Sequence, residues 1–155
     1  MRFSFTKYLA EQSDAPAQWG MMDVHNMVEH LGLTLQMSMG ERKTELINSE
    51  EKAAKIKRIM IESSRPMPKG IKTSMLPKYQ TLPYIHSTYN EAVLKLDDYL
   101  DRFKILLKND ASLEYLHPTM GLLNLREWDK LHRKHFTHHF EQFGLDTEFV
   151  NNTFG

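Results

Sequence analysis

The chain has 155 residues, of which 41% are hydrophobic, and this is the usual size of one compact domain with a buried core, so we expect a single domain over residues 1–155. Its 20 basic residues balance its 20 acidic residues, which argues against a nucleic-acid partner because no net positive field attracts phosphates. The absence of cysteine excludes disulfides, thiolate catalysis and zinc–thiolate sites. No signal peptide or bilayer-length apolar run is found, so we expect a cytoplasmic protein with no membrane partner.

Four segments have the apolar spacing of amphipathic helices. They cover residues 23–40, 49–61, 88–108 and 124–144. Asp23 is the predicted N-cap of the first segment, and Gly40 is its predicted end. The third segment has the most regular pattern in the chain. The fourth opens with Asn124 and has Glu127 three residues later, which is typical of a capping box.

A proline-rich stretch separates the second and third predicted helices. Between residues 65 and 83 there are four prolines and Gly70, which rule out a continuous helix. Apolar residues such as Met67 and Ile71 make it too hydrophobic for a disordered linker. We interpret it as a long loop packed over the domain, of the kind that covers a site. Four helices without a convincing strand pattern predict an all-α four-helix bundle.

Histidines are concentrated in the last predicted helix. Four of the eight histidines lie within residues 132–139, and neutral imidazole is the commonest protein ligand for first-row metals. His135 and His139 are four residues apart, so they stand one above the other on one helix face. That face borders the apolar arc, His132 lies along the same edge, and His138 lies further round. The alternative is that these histidines are surface residues or hydrogen-bonded core residues.

A third ligand would have to come from elsewhere, and the first predicted helix carries His25 and His30. These two are five residues apart, hence roughly 140° from each other around the helix, and cannot both point into one cavity. Each lies near an edge of the apolar stripe, so periodicity alone does not choose between them. Three imidazoles with an open fourth position would be typical of a reactive metal site.

Other polar residues have plainer interpretations. His86 and His117 lie in turns before predicted helices, where capping or loop-fixing is the expected role. Asp23, Glu29 and Gln142 are candidates for orienting a ligand imidazole, or are solvated or capping side chains.

Two blocks of sequence resemble a known family. HPTMGLLNLREW (117–128) and LHRKHFTHHFEQFG (131–144) closely resemble the C-terminal signature of a family of small proteins in the DinB-like (DinB/YfiT-like) metalloenzyme superfamily. WGMM (19–22) and MVEHL (27–31) are similar to its N-terminal signature. The resemblance implies a four-helix bundle in which three histidines hold a divalent metal ion. It places the ligands at His30, His135 and His139, with the histidine pair preceding Gln142, and thus favours His30 over His25.

The resemblance also bears on function. Several relatives in the superfamily are thiol-dependent transferases or isomerases, and members often form dimers. We therefore expect a metal-dependent transferase or hydrolase that uses zinc or nickel, acts on a small molecule or a low-molecular-weight thiol, and forms a homodimer. The alternative is a non-catalytic metal-binding or dimerising bundle. A protein ligand in the fourth position, such as His25, His138 or a carboxylate, would favour that alternative.

Overall fold

The computed structural model describes residues 2–68 and 83–154, which form six α-helices and a two-stranded antiparallel sheet. The helices are α1 (Arg2–Ala10), α2 (Val24–Ser38), α3 (Glu50–Lys57), α4 (Tyr89–Asn109), α5 (Leu125–Gln142) and α6 (Glu148–Phe154). The strands are β1 (Glu114–His117) and β2 (Gly121–Asn124), and α3 continues into a π-helical turn (Arg58–Glu62). The protein is therefore mostly helical.

The four predicted helices are confirmed as α2 to α5, and their start points follow from local capping. The Asp23 carboxylate accepts a 2.7 Å hydrogen bond from the backbone N–H of Asn26. Asn124 and Glu127 form the predicted capping box, each side chain accepting a 2.9 Å bond from the other residue's backbone N–H. These caps satisfy N–H groups that the first helical turn cannot pair internally. They fix where α2 and α5 begin along the chain.

The prediction of an all-α fold was wrong in one respect, because residues 114–124 form a β-hairpin. Its register pairs His117 with Gly121 across a three-residue loop. Gly121 has φ +80°, the left-handed conformation that this loop length favours. The strands have only four residues each and lack the β-branched alternation that identifies a strand in a sequence. Tyr115 nevertheless ties the hairpin to α5, since its carbonyl accepts a 3.1 Å bond from the Trp128 indole N–H.

The hydrophobic core lies where α2 packs against both α4 and α5. Two short terminal helices that the sequence did not predict close this core. Phe5 of α1 stacks on Phe140 of α5 with ring centroids 5.8 Å apart, and Phe154 of α6 meets Phe136 edge-on at 4.9 Å. No helix in the described part of the chain combines the length and apolar character needed to cross a membrane.

The predicted proline-rich loop falls largely on residues 69–82, which lie outside the described residues. The segment that follows it is attached to α2. The buried Glu29 carboxylate accepts hydrogen bonds from the backbone N–H groups of Ile85 (2.9 Å) and His86 (2.6 Å). It also accepts a 2.7 Å bond from the His86 ring. A buried carboxylate with three donors is a strong anchor, so residues 83–88 are held along α2 beside the middle of that helix.

Candidate metal centre

The structure brings His30, His135 and His139 together between α2 and α5. The Nε2 atom of His135 lies 2.8 Å from that of His30 and 3.1 Å from that of His139. One ring nitrogen from each residue lies within 4.8 Å of the other two. The predicted helical spacing places His135 and His139 on one face of α5, and the packing of α2 against α5 brings His30 across to them.

Burial keeps these imidazoles neutral. His135 and His139 are buried and His30 is half-buried. Desolvation lowers the pKa of His30 to about 4 and that of His139 to about 3, with neighbouring histidines adding to the effect. It also lowers the pKa of His135 well below the usual histidine value. A neutral imidazole has a free lone pair, which is the form that binds a metal ion.

Gln142 determines the tautomer of His139. The Gln142 side-chain amide donates a 2.9 Å hydrogen bond to the Trp19 carbonyl, so its oxygen faces the His139 ring. Nδ1 of His139 then donates a 2.7 Å bond to that oxygen. With its proton on Nδ1, the neutral ring carries its lone pair on Nε2, which is the atom that faces the other two histidines. This matches the usual outer-shell arrangement of metal-bound histidine.

The geometry of the three nitrogens fits a transition-metal ion. Zinc–nitrogen distances of about 2.0–2.1 Å in a tetrahedral site separate the ligand nitrogens by roughly 3.3 Å. The 2.8 and 3.1 Å separations around His135 are a few tenths of an ångström shorter than that value, and all three nitrogens lie within 4.8 Å of one another. A single cation among these nitrogens would accept the lone pairs of the neutral imidazoles together. Imidazole ligands suit zinc, nickel, copper and iron alike.

No other histidine or carboxylate in the described part of the chain joins this cluster. His25 instead stacks on Tyr84, with ring centroids 3.7 Å apart, and its Nε2 lies 3.6 Å from Glu29. His138 lies beside the cluster, its ring 5.0 Å from that of His139 and 6.0 Å from that of Trp19, but its nitrogens are not part of the group. The described residues therefore supply three ligands.

The remaining histidines have structural roles. His132 is fully buried, and its Nε2 lies 2.9 Å from the Ser38 hydroxyl. Because that hydroxyl donates to the Leu35 carbonyl, Nε2 of His132 is the donor. His117 accepts a 3.1 Å bond from the backbone N–H of Thr119 within the hairpin loop, which confirms its predicted loop-fixing role. His86 binds Glu29 and fixes the segment before α4.

Two features of the site were not predicted. The sequence suggested Gln142 as an orienting residue, which the structure confirms, but it gave no sign that the Trp19 carbonyl holds Gln142 in place. Gly20 allows this approach, because a Cβ atom there would lie 2.8 Å from the Gln142 amide nitrogen. Glu29 was also a candidate for orienting a ligand, yet it contacts His25 and His86 instead. The four-residue spacing of Glu29 from His25, which places both on one face of α2, was the only feature of the sequence that indicated a contact between them.

Comparisons of the chain with models of protein families, with curated proteins and with solved structures found no match. The three-histidine cluster is therefore the strongest indication of function, and it rests on the geometry described above.

Proposed function

We propose that His30, His135 and His139 bind one divalent metal ion, zinc or nickel, and that the protein is a metal-dependent enzyme with a DinB-like four-helix bundle fold. The observation that carries this proposal is the convergence of three Nε2 atoms, with separations of 2.8 and 3.1 Å around His135. Only one of these rings, His139, has its tautomer fixed by a hydrogen bond to a described side chain. That bond directs its lone pair into the cluster, as metal binding requires.

The fold would prepare the three imidazoles for a metal ion by positioning them, keeping them neutral and shielding them from solvent. Burial holds the three imidazoles neutral, and Gln142 directs the His139 lone pair. A divalent ion held by His30, His135 and His139 would supply Lewis acidity, which would lower the pKa of a water or thiol bound to it and so provide a nucleophile at neutral pH. The lack of a fourth histidine or carboxylate in the group, among the residues described, supports catalysis over a purely structural role.

The reaction class rests on the family resemblance of residues 19–31 and 117–144. It favours transfer to or from a low-molecular-weight thiol, or hydrolysis of a small molecule, by a homodimeric protein. Titrating cobalt-loaded protein with 2-mercaptoethanol tests the thiol directly. A new thiolate-to-cobalt absorption band would support thiol chemistry, and an unchanged spectrum at saturating thiol would point to hydrolysis.

The metal site itself is tested by elemental analysis of protein purified without a histidine tag. We expect about one transition-metal ion per chain in the wild type and loss of that ion in His139→Ala. His138→Ala is the matched control, because it removes the neighbouring histidine on the same helix and leaves the three ligands intact. Circular dichroism of each variant would show that helix content is kept. Retention of a full equivalent of metal by His139→Ala would refute the ligand assignment. Absence of metal in the wild type after incubation with zinc or nickel would instead favour a non-catalytic bundle.

A further inference from the structure

A concave site lies between α2 and α4, lined by residues other than the three clustered histidines. It is a groove of about 190 Å³, smaller than the roughly 300–1,000 Å³ of sites for drug-sized ligands. The apolar surface that it offers comes from Leu33, Ile85 and Tyr99, which are half-buried or exposed, above the buried Val28 and Leu96. None of His30, His135 and His139 lines it. Its size and lining suit a small molecule with an apolar part.

Two cations line the same groove without a carboxylate partner. Arg42 and Lys95 are exposed, and neither makes an ion pair or hydrogen bond with another described residue. The ammonium group of Lys95 lies over the ring of Tyr99, 5.9 Å from its centroid, which is a cation–π contact. By contrast, the nearby Arg102 pairs with both Glu41 and Asp98. The positive charge at the groove is therefore available to an anionic ligand.

The one carboxylate among the groove's described residues is already occupied. Glu29 accepts the backbone N–H groups of Ile85 and His86 and the His86 ring. These donors take up its hydrogen-bonding capacity, and the ion pairs that it makes among the described residues are with His25 and His86, not with Arg42 or Lys95. Gln36 and Tyr99 add neutral polar groups to the lining. The groove therefore combines an apolar floor, two unpaired cations and no free acid among the residues described.

We propose that this groove binds a small organic monocarboxylate, with its alkyl group on the apolar floor and its carboxylate at Arg42 and Lys95. Both parts are needed for binding. Exposed cations alone bind simple anions weakly because water competes for them, and a surface of this size alone gives little hydrophobic binding. Charge-assisted hydrogen bonds from a guanidinium and an ammonium add direction as well as attraction.

The test is a titration of ¹⁵N-labelled full-length protein, followed by amide chemical shifts, with three probes. Butyrate has both a carboxylate and an alkyl chain, formate has only the carboxylate, and butan-1-ol has only the chain. We expect saturable butyrate-dependent shifts at Gly32, Lys95 and Tyr99 with a millimolar Kd. Formate and butan-1-ol should bind at least tenfold more weakly. The same titration of His139→Ala should give the same shifts, because the groove does not include that residue.

The second part of the test compares a variant that lacks both groove cations with a control variant that lacks a distant lysine. The double variant Arg42→Gln/Lys95→Gln should bind butyrate at least tenfold more weakly, whereas Lys108→Gln, which removes an exposed lysine farther along α4, should bind it as the wild type does. Unchanged binding in the double variant would overturn the proposal. So would equal affinity for formate and butyrate, or shifts confined to the histidine cluster and lost in His139→Ala. The spectra themselves report whether each variant is folded.

Discussion

Replacement of Gln142 by alanine should weaken metal binding without removing a ligand. The change deletes the acceptor that lies 2.7 Å from Nδ1 of His139, in a place where both side chains are more than 90% buried. The His139 ring can then rotate or change tautomer, so its Nε2 lone pair is no longer fixed toward His30 and His135. A buried N–H without a partner costs about 1–3 kcal/mol, and loss of such outer-shell partners lowers metal affinity roughly 10–100-fold. That range corresponds to about 1.4–2.7 kcal/mol of binding free energy.

The assay is competition for zinc with a chromogenic chelator of known affinity, at one pH and ionic strength. Gln36→Ala is the control, because it removes a half-buried glutamine of α2 that lies outside the histidine cluster. We expect its zinc affinity to equal that of the wild type. Zinc binding by Gln142→Ala within twofold of the wild type would show that this hydrogen bond does not organise the site.

The other predictions concern Gly20, His132 and Glu29. In Gly20→Ala the new Cβ would lie 2.8 Å from the Gln142 amide nitrogen, at a backbone φ of +82°, so the zinc affinity measured by the same competition should fall. Gly121→Ala is the control, because its φ is +80° and no atom lies within 4 Å of the new Cβ. It should lose about 1–3 kcal/mol of stability from backbone strain and keep the zinc affinity of the wild type. Burial lowers the pKa of His132 from 6.5 to about 3. As the pH drops from 6.5 toward 3, His132 therefore becomes protonated in the unfolded chain but stays neutral in the folded protein. The free energy of unfolding should fall over this range, by at most about 1.4 kcal/mol per pH unit from this residue. Urea unfolding of metal-free protein should show a shallower pH dependence in His132→Gln, and an unchanged slope would contradict that assignment. Glu29→Gln should speed amide hydrogen exchange at Ile85 and His86, whose N–H groups it accepts, and exchange rates equal to those of the wild type would show that the carboxylate does not hold this segment.

Local sequence signals predicted the long helices well. Asp23 and the Asn124–Glu127 pair cap α2 and α5 as expected, because a cap depends on residues within one turn of each other. The same signals were silent on α1, α6 and the hairpin. These elements are short, and they are stabilised by contacts distant in sequence, such as Phe5 with Phe140. Short elements carry too little periodicity to be identified without those contacts.

In the candidate site, too, some features follow from the local sequence and others from the packing of helices. Helical spacing by itself determined that His135 and His139 share a face of α5, because the pitch of an α-helix does not depend on its surroundings. Periodicity left the choice between His25 and His30 open, and only the family resemblance favoured His30. The packing of α2 against α5 places His30 at the cluster and leaves His25 beside Tyr84.

The hydrogen bonds that orient the His139 ring also depend on tertiary structure. The Trp19 carbonyl and Gln142 are separated by 123 residues, yet their 2.9 Å hydrogen bond fixes the orientation of the His139 ring. The sequence by itself determined which helices form, where α2 and α5 begin, and which histidines share a helix face, since these depend on neighbours along the chain. Only the tertiary structure decided which nitrogens converge and which groups orient them, because those distances depend on how separate helices pack.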